Sequence, residues 1–168
     1  MTVLPWKLRK NLETSLCDFL IEKINDESLQ VVDECGALKT PNVRVGFNRK
    51  DDWELPVITV YSDNVLSPRQ CIGSNCRLNE YLIIIDIRAL DIGMQLDLTD
   101  WVSNTINDGW NFYDYQPNNA DPLNPIKTLA GYVSFDFVSN TSVRLGDNVD
   151  LFDRFRQNIT ISTYIKLN

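Results

Sequence analysis

Four aspartates, Asp86, Asp91, Asp97 and Asp100, cluster in sequence around a strand-to-helix junction. Two of them could form an acid/base pair or a Mg²⁺ site, since hard cations prefer oxygen ligands. The same residues also suit helix capping and a solvated helix N-terminus, where the helix dipole favours negative charge. The chain contains no histidine. A Ser-His-Asp triad, a Cys-His pair and the usual catalytic zinc sets are therefore impossible within one subunit. No GxxxxGK[ST] or GxGxxG pattern occurs, and the seven glycines form no phosphate cradle. Cys17, Cys35, Cys71 and Cys76 include no CxxC pair and read as free thiols of a cytosolic chain. Cys71 and Cys76 flank a turn-like Ile-Gly-Ser-Asn that could close a small loop. These absences weigh against the common enzyme classes, and the expectation is a non-enzymatic protein with no metal site.

Charge narrows the partners. With 16 basic and 23 acidic residues, the net charge of the 168-residue chain is −7. A general grip on nucleic acid needs clustered Lys and Arg to displace counterions, so none is expected. An acidic chain can still let DNA slide past without binding it. No apolar run approaches the ~18–20 residues of a membrane span, and the N-terminus lacks the order of a signal peptide.

The elements follow from periodicity. Leu8, Leu12, Leu16, Phe19, Leu20 and Ile24 form one stripe of an amphipathic helix over 7–25, with Lys7, Lys10, Glu13, Asp18 and Glu22 off it. Val43, Val45 and Phe47 alternate with Arg44 and Gly46, and a second strand follows Pro56 over 57–61. Residues 62–78 are irregular and predict a long loop or hairpin arm. The clearest strand is Tyr81-Leu-Ile-Ile-Ile-Asp-Ile-Arg88, apolar on both faces until Asp86 and Arg88 occupy one of them. Asp91 caps a predicted helix over about 92–108, with Ile92, Leu96, Val102 and Ile106 at helical spacing, Leu98 and Trp101 widening the stripe, and Gly109 as its stop. An aromatic segment at 110–115 reads as core and cross-strand packing. A proline-containing loop over 116–130, a strand over 132–138 and turn-like residues 139–142 follow. The last strand sets Phe155, Ile159, Ile161, Ile165 and Leu167 against Arg154, Arg156, Thr160, Ser162, Tyr164 and Lys166.

This order predicts one α+β domain over residues 1–168, a mainly antiparallel β-sheet packed against two α-helices with a long projecting loop or hairpin arm. Long irregular segments on a patterned sheet are typical interface carriers. Candidate contact residues are Ser67, Pro68, Arg69, Gln70 and Arg77 on the arm, Asp86 and Arg88 near the end of the central strand, and Arg154 and Arg156 on the polar face of the last one. Asp86 and Arg88 read either as a partly exposed strand end or as an ion pair at a subunit contact.

The chain resembles the tail terminator (tail completion or neck) proteins of long-tailed bacteriophages. The residues that carry this are the N-terminal helix, Trp53-Glu-Leu-Pro56-Val-Ile-Thr-Val-Tyr61 and the segment after it, Tyr81-Leu-Ile-Ile-Ile-Asp-Ile-Arg88, the helix through Thr99-Asp-Trp-Val102, and the closing strand ending Thr163-Tyr-Ile165. The likeness lies in order and texture and includes no diagnostic motif. It implies a homo-oligomer, a hexameric ring in the virion that caps the tail tube and stops its polymerisation. Such a ring contacts the tail-tube protein and a neck, stopper or head-completion protein, and DNA crosses its lumen without specific binding. It also implies a protein without catalytic residues or cofactor, with no membrane partner, assembled in the host cytoplasm. Two rivals stand beside it: another phage neck or tail subunit (stopper, tail-tube or sheath-contacting), and a small cytosolic enzyme or ligand-binding domain built on the aspartates above.

Overall fold

A computed structural model describes residues 5–33, 35–46, 54–70, 77–121, 124–143 and 155–167, with residues 5, 6, 64–70 and 77–79 described by their backbone. Helix α1, Pro5–Glu27, buries Leu8, Leu12, Leu16, Leu20 and Ile24 of the stripe read from spacing, with Phe19 half-buried and Cys17 beside it. Ser28 ends α1 by taking a left-handed conformation (φ 50°). The Leu29 N–H then reaches back to the Ile24 carbonyl at 2.9 Å and the Ser28 N–H to the Asn25 carbonyl at 3.2 Å, which satisfies two carbonyls of the last turn.

Helix α2, Ile92–Thr105, starts where Asp91 accepts a 2.8 Å hydrogen bond from the Met94 N–H. Its buried face is Met94, Gln95, Leu98, Thr99 and Val102. Ile92 and Leu96, expected on that face from their spacing, are instead 60% and 54% exposed. The i+4 series starting at Met94 faces the sheet, and Ile92 with Leu96 lies on the flank away from it. Gly109 (φ 78°) makes the turn into the next strand, where an added Cβ would meet the Val133 carbonyl oxygen.

Eight strands are described: β1 Val31–Val32, β2 Leu38–Lys39, β3 Asn42–Val45, β4 Val57–Gln70, β5 Arg77–Ala89, β6 Trp110–Gln116, β7 Ile126–Val143 and β8 Phe155–Leu167. β1 and β2 form a small hairpin. The other six make one sheet in the order β3-β4-β5-β8-β7-β6. The sheet is mixed: β3 joins β4 in parallel, and the remaining pairings are antiparallel. Both helices pack on one face. Their apolar side chains meet Ile58 and Val60 of β4, Tyr81, Ile83, Ile85, Ile87 and Ala89 of β5, Trp110, Phe112, Val133, and Ile159 and Ile161 of β8 in one core.

Three stretches read as loop, hairpin arm or turn are strand. Residues 62–70 continue β4, with irregularities between Ser62 and Val65 and between Leu66 and Arg69. Residues 126–130 and 139–143 both belong to β7, the first paired with β6 and the second with β8 across a bulge after Phe137. Polar and proline-rich composition argues for turns, but a neighbouring ladder supplies backbone partners whatever the side chains are. Phe47 and Trp53, named in the sequence reading, lie outside the described residues, as do Cys71, Cys76 and Arg154. No helix among the described residues is long and apolar enough to cross a membrane.

Candidate functional site

The face of the sheet turned away from the helices carries the charged residues singled out in the sequence. Register places Val57, Arg88, Arg156 and Val143 in one row across β4, β5, β8 and β7, and Thr59, Asp86, Asn158 and Thr141 in the next. Residues directly opposite share a face, so alternation along β5 and β8 brings Asp86, Arg88 and Arg156 together. Asp86 Oδ1 accepts a 2.7 Å hydrogen bond from Arg156 Nε, and Oδ2 lies 2.9 Å from Arg88 Nη2. Asp86 is fully enclosed, Arg88 is 3% exposed, and the Arg156 side chain is 14% exposed.

This corrects the reading of a partly exposed strand end. The ion pair is internal to the chain, and the Asp86 carboxylate has no surface left to offer a neighbouring subunit. Two guanidiniums directly opposite each other repel, and the carboxylate between them turns that repulsion into a bridged row. Tyr61 lies close enough to sense it: burial raises its phenol pKa, the Asp86 charge adds to the rise, and Arg156 and Arg88 oppose it. A guanidinium neither gives up nor takes a proton near neutrality. The row ties β5 to β8.

Nearer the start of β5, Glu80 is buried and accepts hydrogen bonds from Ser162 Oγ and, at 3.3 Å, from the Tyr164 hydroxyl. Here too the polar face of β8 is engaged within the chain. At the β4 edge, the Ser62 N–H donates to Glu13 Oε1 at 2.8 Å, and Arg9 Nη2 donates to the Ser62 carbonyl. The Gly46 N–H bonds the Val60 carbonyl at 2.9 Å, so the outward backbone groups of β4 pass from β3 to these two side chains of α1. Arg9 and Glu13 stand in for a strand and close that part of the edge.

The four aspartates do not converge. Asp86 serves the arginines, Asp91 serves the α2 cap, and Asp97 and Asp100 are exposed. Among the described residues no group of three His, Cys, Asp or Glu could hold a metal ion. For Ser67, Pro68, Arg69, Gln70 and Arg77 the backbone is strand; Arg69 pairs with Leu78, and Gln70 with Arg77.

Sequence reasoning missed the polar seam between α1 and the β6–β7 hairpin. Lys7 Nζ lies 2.8 Å from Asp114 Oδ1, which also accepts from Asn11 Nδ2 at 2.8 Å. Tyr115 donates to Asp18 at 2.8 Å, and Lys127 meets Asp18 at 3.2 Å and Glu22 at 2.9 Å while standing 4.3 Å from the Tyr113 ring centroid. The available signal was the acidic Asp18 and Glu22 at i and i+4 on α1, which face one lysine far along the chain. Neither a protein-family model nor a curated protein matches this chain.

Proposed function

We propose that this protein is a structural subunit of the head–tail junction of a long-tailed bacteriophage. Copies form a ring, six in number by resemblance, that caps the tail tube, stops its polymerisation and presents the surface for head attachment. The reading rests on the sequence resemblance and on one structural observation that supports it. The β4–β5 ladder extends beyond the last β5–β8 pair, Glu80 with Tyr164, and there Arg69 with Leu78 and Gln70 with Arg77 pair only with one another among the described residues. A two-stranded ribbon alone is marginally stable in water, so a segment of this kind gains most from a partner surface. It is the arm with which a subunit would meet the tube or its neighbour. An acidic chain suits a lumen that DNA crosses without sticking.

Mass photometry and electron microscopy of the purified protein, alone and with assembled tail tubes, test this directly. Rings, or rings formed on contact with tube ends, are expected. A strictly monomeric species even with tubes present would overturn the reading. Deleting residues 67–76 leaves the ladder from Val57–Arg88 to Leu66–Glu80 in place, so the thermal transition should survive while assembly weakens. Capping of tube ends against growth separates this role from that of a stopper or tube subunit.

A further inference from the structure

The β6–β7 ladder ends at Trp110 with Val133, whereas the β7–β8 ladder continues to Val143 with Arg156. Residues 134–143 of β7 therefore have a strand on one side only among the described residues. An unpaired strand edge is a template for another strand, and proteins usually guard it with lysine, proline or an inward charge. This edge has no Lys, Arg or Pro, and its single charge is Asp136. Phe137 and Val138, at the bulge, are 52% and 54% exposed. At the opposite end of the sheet β3 is the outermost strand, and Arg9 and Glu13 close the edge of β4 at Ser62.

We propose that residues 134–143 of β7 pair antiparallel with the same residues of a second copy. The occupant follows from charge and self-complementarity. Each copy carries −7, which opposes most surfaces of this protein meeting themselves, yet this edge is almost neutral. A two-fold axis between Val138 and Ser139 sets Ser134 opposite Val143 and Asp136 opposite Thr141, so the two carboxylates do not face. It also gathers Phe137 and Val138 of both copies at the centre, where they exclude water from each other. One patch used by both copies closes at two subunits, and the contact is independent of the ring reading, which needs two different patches.

Sedimentation of the purified chain over a range of concentrations should show a dimer. The Phe137→Lys/Val138→Lys variant should lose it while keeping its thermal transition, since both side chains are exposed. Hydrogen exchange on the wild-type protein gives a check that needs no variant: amides in 134–143 should slow by about tenfold or more as the dimer fills. A wild-type monomer throughout would overturn the proposal, and so would a dimer that leaves those amides unprotected. A hexamer with 134–143 unprotected would support the ring and overturn this contact. A dimer protected there that never caps tubes would do the reverse.

Discussion

Asp86 is the residue whose environment says most about this fold. A carboxylate with no exposure sits between Arg88 and Arg156, on the face of the sheet that carries no helix. Burying ions costs several kcal/mol each before pairing, and removing one partner leaves the other charge uncompensated. In the Asp86→Asn variant two guanidiniums would stand opposite each other without their bridge, so a stability loss of about 3–5 kcal/mol is expected. Urea unfolding measures it, and a loss below about 1 kcal/mol would mean that the row tolerates an unbridged arginine pair. Strand alternation was enough to place these residues on one face from the sequence. It could not reveal that the chain itself encloses them, because Arg156, which bridges to Asp86, comes from β8, 70 residues along the chain.

At the scale of elements, the apolar core positions α1 and the polar seam fixes which way it lies along β6. Asp114 is central to that seam. Its carboxyl is held below the ordinary value of 3.8, first by the hydrogen bond from Lys7, with burial opposing and Gln116 and Asn11 adding to the fall. A depressed folded-state pKa stabilises the fold above the ordinary value, and that contribution is lost as pH drops through 3.8 towards the folded-state value. The stability gap between wild type and Asp114→Asn should therefore be full at neutral pH and shrink on acidification below the carboxylate range. Urea titrations at successive pH values would show it, and a gap unchanged into strong acid would remove Asp114 from the seam. The elements differed in how legible they were. α1, β5 and β8 announce themselves because a buried stripe or strand must repeat apolar residues at a fixed period. The two ends of β7 are mostly exposed, so they carry no such period, and the Ser, Asn, Thr and Pro residues there and in the far half of β4 read as loop or turn. The parallel β3–β4 pair has no local signature either, since parallel partners need not be joined by a turn.

At the scale of the whole molecule, charge and open edges pull against each other. A chain of net charge −7 repels its own copies over distances set by screening, while an edge of β7 and a two-stranded end of β4–β5 invite strand partners. Screening decides the balance. The Debye length falls from ~30 Å at 0.01 M salt to ~8 Å at 0.15 M, so the repulsion between whole subunits fades while backbone pairing and apolar contact at the edge are almost unaffected. Self-association, whether dimer or ring, should therefore strengthen as sodium chloride is raised through this range at fixed protein concentration. Mass photometry across a salt series reads the assembled fraction directly. If added salt instead dissociates the assemblies, the copies are held by exposed ion pairs between opposite charges, and the nearly neutral β7 edge is not the surface that joins them.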